Sequence, residues 1–411
     1  MASILGDDSH GHWSLRLTEG EVTSRRYDEG TMVLRTEWIT PTGRARVTDF
    51  MPAPEGDNEA DLAHDFADLA DLVRHVECLE GEVEVSGELS LRFDYGRIRP
   101  FSSTGVDVLG QPVVVDVAGA DAVALHGPGL SPEGERHRIE HRLQAGESTF
   151  WSLTWFPSWA EIPPAPDVEV ALSETLSHWR SWLGEVEVDD SYREQVERSL
   201  LVLKALTHRR TGGIIAAATT SLPEDFGGVR NWDYRFCWLR DAALSLEALL
   251  AHDHLSTAHS WRSWLLRAIA GDPEHLQIMY GVAGERRLPE EELRHLPGHA
   301  DSAPVRIGNG AVDQFQGDVV GEVLIALSQM RERGVEEDER SWQLQLELVR
   351  FTARHVDDKD QGLWEMRGDP AYFTHSRVMT WAAFDRMIDA VEHHAMPVEA
   401  DELEQWRILR D

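Results

Sequence analysis

The feature that most limits how this chain folds is a change of hydrophobic period near residue 190. Before it, apolar and polar residues alternate with a period of two, as in 32–38, which is typical of antiparallel strands. After it, apolar residues recur at the 3.6 spacing of amphipathic helices, as in 192–206 and 339–356. The sequence therefore predicts a multidomain chain with a β part followed by an α part.

Residues 1–157 are predicted to form an antiparallel β-sandwich, because many short alternating segments are separated by glycine turns. We interpret Ser86-Gly87 as one of these turns, between strands at 83–85 and 89–95. Further strands are expected at 32–38, 46–50, 112–117, 121–126, 137–144 and 148–156.

Residues 158–189 are predicted to be a linker with a helix, since four prolines fall within 157–170 and helical spacing follows at 170–183. Residues 190–411 are predicted to be the helical domain. Three loops rich in aromatic and charged residues precede its helices near 240, 318 and 375. If helices alternate between an inner and an outer ring, as in an α/α toroid, these are inner helices and their loops open at the same end.

The charge balance excludes several partner classes. The net charge is −34, from 73 acidic and 39 basic residues, so the surface repels nucleic acid and anionic membranes. Such a surface also leads to the hypothesis of a halophilic protein, because salt screens self-repulsion. Equal stability in low and in molar salt would contradict it.

The sequence carries no clear targeting signal and no cysteine motif. No apolar run of about 18 residues occurs and the N-terminus has no signal-peptide pattern, so we expect a cytoplasmic protein. Cys78 and Cys237 have no CxxC partner, which predicts neither a disulfide framework nor a zinc site. The pairs His10/His12 and His393/His394 lack further ligands and are interpreted as surface residues.

The segment 221–244 carries the strongest signal for a binding site. It contains Trp232, Trp238, Arg240 and Asp241 within ten positions. Aromatic faces beside fixed charged groups suit a sugar, whose apolar face stacks while its hydroxyls form hydrogen bonds. The first turn of a helix favours an ionised Asp241, which suits a hydrogen-bond acceptor better than a proton donor. The alternative is a buried ion-pair turn.

Two further loops add candidates. Arg306 lies among glycines and near Gln314 and Gln316, which indicates a polar ligand wall; no GxxxxGK pattern supports a phosphate site. Glu365 follows Trp364 between apolar neighbours. Partial desolvation would keep its carboxyl protonated, as a general acid requires. The alternative is an ion pair between Glu365 and Arg367.

Three motifs in this order resemble glycoside hydrolase family 15, the group of glucoamylases, glucodextranases and prokaryotic trehalases. They are TTSLPEDFGGVRNWDYRFCWLRDA, PVRIGNGAVDQFQGDVVGEV and GLWEMRGDPAYFTHSRVMTWAAFDR. The resemblance implies a β-sandwich, a linker and an (α/α)6 barrel, and inverting hydrolysis of α-glucosidic bonds in trehalose or short α-glucans. It implies no metal or organic cofactor.

Residue roles also follow from the resemblance. Glu365 would be the general acid, and Arg240, Asp241 and Arg306 would bind the non-reducing-end glucose. Trp232, Trp238 and Trp364 would line the site.

The sequence departs from the family in extent, at both ends. The barrel is expected to be incomplete, with the general base beyond Asp411, and the exposed apolar faces lead us to expect association, for instance as a homo-oligomer. An inactive glycan-binding relative that lacks the base is the alternative function. A phosphorylase on a similar toroid is a third, although the loops do not match that group.

Overall fold

The computed structural model describes residues 2–53, 70–184, 186, 191–269 and 275–411. The chain forms two compact units, Met1–Val186 and Glu187–Asp411. The linker boundary expected near residue 189 lies outside the described residues.

The first unit is built from antiparallel strands, which confirms the β architecture predicted from the period of two. All the pairings described among them are antiparallel. The strands are β1 His12–Leu17, β2 Glu21–Tyr27, β3 Leu34–Ile39, β4 Gly43–Phe50, β5 Ala70–Ser90, β6 Phe101–Val106, β7 Pro112–Ala118, β8 Asp121–His126, β9 Leu130–Glu133, β10 Arg136–Gln144 and β11 Ser148–Pro157.

The long strand β5 connects the two parts of this β structure. Its first part pairs with β4 and β11, and its second part pairs with β1 and β10. Side chains from both parts, including Val76 and Val85, pack into one buried core around Trp151.

The turn predicted at Ser86-Gly87 is wrong, because both residues lie inside β5. Gly87 pairs with Leu15 on one side and with Ile139 on the other. A Cβ at this position would lie 2.6 Å from the carbonyl oxygen of Ser14, closer than real atoms approach. The glycine therefore serves close strand approach rather than a turn.

Helix α1, Val168–Leu183, belongs to the first unit. The Asp167 carboxylate accepts a hydrogen bond of 3.2 Å from the amide of Val170 and so caps the helix start. Val168 packs in a buried cluster with Val33 and Val73 of the β structure.

The second unit is helical, as its 3.6 period predicts. Its helices are α2 Arg193–Ala205, α3 Leu239–Leu250, α4 Leu255–Ile269, α5 Val319–Glu332, α6 Glu339–Arg354, α7 Thr374–His394 and α8 Ala400–Arg410. Short strands β12 Cys237–Trp238, β13 Met279–Tyr280, β14 Glu291–Glu292 and β15 Arg306–Ile307 pair within the loops.

The helices of the second unit pack against one another through a connected set of contacts. Helix α5 packs between α3 and α7, and α4 contacts α3, α5 and α6. The three helices that follow the unusual loops therefore lie side by side, with α5 in the middle and extensively buried. Two large apolar side chains of these helices nevertheless remain about half exposed. They are Leu244 of α3, at 52%, and Trp381 of α7, at 49%. None of the described helices has the length and apolarity needed to cross a lipid bilayer.

Candidate functional site

The three loops that precede α3, α5 and α7 converge. We name them the first loop (219–240), the second loop (278–317) and the third loop (357–374). The hydroxyl of Ser221 in the first loop donates to the carbonyl oxygen of Arg306 in the second, at 2.7 Å. The carboxylate of Asp360 in the third loop accepts from the amide of Gly317 in the second, at 2.7 Å. Each loop is thus bonded to a neighbouring loop.

A cavity of about 870 Å³ is lined mainly by residues of the first and third loops, together with Asn309 of the second loop and Leu244 of α3. Of the residues singled out from the sequence, those that line it are Trp232, Trp238, Arg240, Asp241, Trp364 and Glu365. Arg306 is not part of the lining. Trp238 is buried, whereas Trp364 is 76% exposed and lies at the rim.

Glu365 sits between two nitrogen donors. Its Oε1 accepts a hydrogen bond of 2.6 Å from the indole nitrogen of Trp238 and lies 3.5 Å from a guanidinium nitrogen of Arg240. Burial raises the pKa of Glu365 above its ordinary value, although Arg240 and the Trp238 N–H oppose that shift. The direction agrees with the expectation from sequence, because burial favours the protonated carboxyl.

The backbone at Glu365 is also unusual. Its φ is +52°, in the left-handed region that side chains other than glycine adopt at a cost of about 1–2 kcal/mol. The Gln314 side chain donates to the carbonyl oxygen of Glu365 at 3.3 Å. The amide of Met366 donates to the carbonyl oxygen of Gln361 at 3.1 Å. These bonds hold a strained backbone that aims Glu365 into the cavity.

Arg240 connects the cavity to the second loop. It is buried, donates to the side-chain oxygen of Gln316 at 3.0 Å, and pairs with Asp241 at 3.0 Å. Asp241 keeps 40% of its side chain exposed to the cavity. The hydrogen bond to Gln316 therefore holds Arg240 in place, while Asp241 retains free acceptor capacity toward a ligand.

Arg306 lies outside the cavity and contacts one of its lining residues, Trp232. Its guanidinium lies 4.6 Å from the ring centroid of Trp232, donates to the carbonyl oxygen of Val229 at 2.9 Å and approaches Glu290 to 3.8 Å. Arg367 likewise lies 4.6 Å from that ring and pairs with Glu290 at 2.9 Å. The ion pair considered between Glu365 and Arg367 is thus replaced by a pair between Glu290 and Arg367.

The alternative interpretation of the first loop, a buried ion-pair turn, applies to Asp233 and Arg235. Asp233 is fully buried and its two carboxylate oxygens accept from Arg235 at 2.8 and 2.7 Å. One of these oxygens also accepts from the amide of Gly308 at 3.1 Å. The aspartate–arginine pair at 233 and 235 supports the loop, whereas the residues at 232, 238, 240 and 241 line the cavity.

Two residues at or near the cavity, Tyr234 and Glu290, are not among the site residues predicted from the sequence. Tyr234 donates to the carboxylate of Glu224 at 3.3 Å, and burial raises the pKa of its hydroxyl to about 12. Its position between Trp232 and Trp238 was the available signal. Nothing in the acidic run around Glu290 distinguishes that residue from its solvated neighbours.

Comparison with known proteins adds the family. A family model described as glycosyl hydrolases family 15 matches residues 190–408. The trehalases of Mycobacterium tuberculosis and Mycolicibacterium smegmatis are 32% and 33% identical to this chain over all of its length. Trehalase 2 of Sulfolobus acidocaldarius is 34% identical over 94% of the chain. The chain spans 62%, 64% and 64% of the lengths of these three relatives.

A solved structure described as a kojibiose phosphorylase from the human microbiome aligns with a TM-score of 0.48 and 10% identity, covering 97% of this chain and 59% of that one. The residues that the family model matches, 190–408, include all three converging loops. Since the family model covers more than half of the residues, the chain belongs to glycosyl hydrolase family 15.

Proposed function

We propose that the protein hydrolyses an α-glucosidic bond with inversion, and that trehalose is its substrate. The observation that carries the proposal is the setting of Glu365, held at 2.6 Å by the indole of Trp238 at the wall of an open cavity. The preference for trehalose follows from relatives in bacteria and archaea that are named trehalases.

In this proposal Glu365 is the general acid. A carboxyl kept protonated by burial donates its proton to the glycosidic oxygen as the bond breaks. Arg240 then limits the energetic cost of the carboxylate left behind, because its guanidinium lies 3.5 Å from the same oxygen.

The remaining lining residues bind the sugar. Asp241 accepts hydrogen bonds from glucose hydroxyls, and Trp232 offers an aromatic face to the ring. Arg306 is proposed to support this face by stacking on Trp232 from outside the lining.

Inversion needs a second carboxyl group roughly 6.5–9.5 Å from the acid, to activate water. Glu224 and Asp241 are the other carboxyl groups that line the cavity. Glu224 binds Tyr234 and Arg230, and Asp241 binds Arg240. We assign no base within the described part of the chain.

Short α-glucans are the second candidate substrate. The exposed Trp364 at the rim offers a stacking surface for a sugar beyond the first one. This feature favours a chain of glucose units over a compact disaccharide.

The test compares trehalose, maltose and maltotriose with the purified chain. Glucose release and its anomer are followed by proton NMR, and binding is followed by calorimetry. Release of β-glucose from trehalose, unchanged in the surface control Glu194→Gln, supports the proposal. Release of only the α-anomer contradicts inversion. Binding without turnover contradicts hydrolysis by this chain and supports the glycan-binding alternative.

A further inference from the structure

A second cluster of ionisable side chains lies outside the cavity lining. Asp318 precedes the first residue of α5, Glu322 lies one turn further along, and His375 is the second residue of α7. One ligand atom from each lies within 4.8 Å of the others. Because α5 and α7 pack together, the starts of two neighbouring helices supply the cluster.

Asp318 gives an independent indication that this cluster can bind a ligand. Its side chain is 0% exposed, and neither carboxylate oxygen accepts a hydrogen bond from another residue that the structure describes. One of these oxygens lies 3.6 Å from Nε2 of His375, which itself lies 3.2 Å from Glu322. A buried carboxylate with no partner is costly, so such groups are usually paired or bind a metal.

The balance of charge around Arg240 also favours a bound cation. Arg240 interacts electrostatically with Asp318 and Glu322 as well as pairing with Asp241. One guanidinium balances one of these three carboxylates. A divalent cation would add positive charge beside the other two.

The donor set and the distances fit a first-row cation. Ligand bonds of about 2.0–2.2 Å place neighbouring donor atoms roughly 3–3.5 Å apart, close to the 3.2 and 3.6 Å separations of this cluster. Two carboxylates suit Mn²⁺, and an imidazole suits Zn²⁺.

We propose that Asp318, Glu322 and His375 bind one divalent cation of the Zn²⁺ and Mn²⁺ class. The cation joins the starts of α5 and α7 behind Arg240 and needs no part in hydrolysis. The family resemblance implies no metal for the chemistry, and the proposed cation is an addition to that expectation.

The experiment titrates ZnCl₂ and MnCl₂ into the full chain after EDTA treatment and dialysis, with calorimetry and metal analysis as readouts. We expect one site per chain and a higher melting temperature with metal. Asp318→Asn and His375→Gln should each weaken binding at least tenfold. His394→Gln is the matched control, because its imidazole lies 3.7 Å from Asp389 on the surface and offers a competing place for a metal.

Each other outcome overturns the proposal. These outcomes are the absence of stoichiometric binding, binding unchanged in Asp318→Asn and His375→Gln, and binding lost in His394→Gln. His375 is 36% exposed, so His375→Gln should fold even if Asp318→Asn does not. Circular dichroism of the metal-free variants checks this point. Because binding is measured without substrate, its failure is distinct from a failure of the proposed hydrolysis.

Discussion

The indole nitrogen of Trp238 lies 2.6 Å from Oε1 of Glu365, although the two residues are 127 positions apart. Trp238 directly precedes α3, and Glu365 lies in the third loop before α7. The buried side chain of Trp238, at the start of α3, thus holds the proposed acid of the third loop. The bond also favours the ionised form of Glu365.

Trp238→Phe removes this hydrogen bond. We expect the pKa of Glu365 to rise, because a donor to the carboxylate is lost. A general acid must be protonated, so the high-pH limb of the pH–kcat profile should move to higher pH. A charge-assisted bond contributes about 1.5–3 kcal/mol, and kcat should fall roughly tenfold or more.

Trp264→Phe is the control for that prediction, since Trp264 is also buried and donates its indole N–H, at 3.0 Å, to Val282 away from the cavity. It should lower stability and leave the pH profile in place. An unmoved high-pH limb in Trp238→Phe would contradict the proposed role of the bond.

Glu290→Gln tests the support of Trp232. The carboxylate pairs with Arg367 and approaches Arg306, whose guanidinium groups both lie 4.6 Å from the Trp232 ring. We expect weaker sugar binding by roughly 1 kcal/mol or less, about fivefold in Kd, because partly exposed pairs contribute little. The kcat should stay within about twofold. Glu292→Gln, in an exposed pair with Arg294, should change neither quantity. A fall in kcat with unchanged Kd would contradict a positioning role.

Asp71→Asn should stabilise the first unit at neutral pH. Burial raises the pKa of Asp71 above its ordinary value of 3.8, and the hydroxyl of Thr154 donates to its carboxylate. The folded state then binds more protons than the unfolded state between the two pKa values, so stability is lost as pH rises through that window. Each unit of raised pKa corresponds to about 1.4 kcal/mol.

Calorimetry at pH 7 and pH 3 measures this effect. The variant should melt higher than the parent at pH 7, and the difference should shrink toward pH 3, where the aspartate is protonated in both states. Asp94→Asn, at an exposed turn position, should show no such trend. A variant that melts lower at pH 7 would show that the Asp71 carboxylate is stabilising.

Salt should raise the stability of the whole chain. With a net charge of −34, self-repulsion acts over a Debye length of about 10 Å at 0.1 M salt and about 3 Å at 1 M. We expect the melting temperature to rise between 0.1 and 2 M KCl. Sucrose at matched osmolality controls for exclusion of cosolute from the surface. Equal melting temperatures at both salt concentrations would contradict the hypothesis of a halophilic protein.

The helices and most strands could be predicted because their periods are local properties. The spacing of apolar residues in 339–356 predicts α6, observed at Glu339–Arg354, and the same holds for α7. The error at Ser86-Gly87 has a physical cause. A glycine that permits close strand approach resembles a turn glycine when only its own strand is visible.

The site could be predicted only in part. Aromatic and charged residues in 232–241 pointed to a ligand, but sequence alone could not separate the supporting Asp233 from the cavity-facing Asp241. The left-handed backbone of Glu365 has no glycine signal, and the role of Glu290 depends on contacts with residues 16 and 77 positions away. Such contacts are created by the tertiary fold.

The most direct test of Glu365 as the acid compares two substrates with the variant Glu365→Gln. Trehalose has a poor leaving group that needs a proton, whereas fluoride leaves α-glucosyl fluoride with little protonation. We predict that kcat on trehalose falls by about 10²–10⁴, the usual contribution of a general acid, while kcat on the fluoride stays within about tenfold. Equal losses on both substrates, or full activity on trehalose, would contradict the assignment.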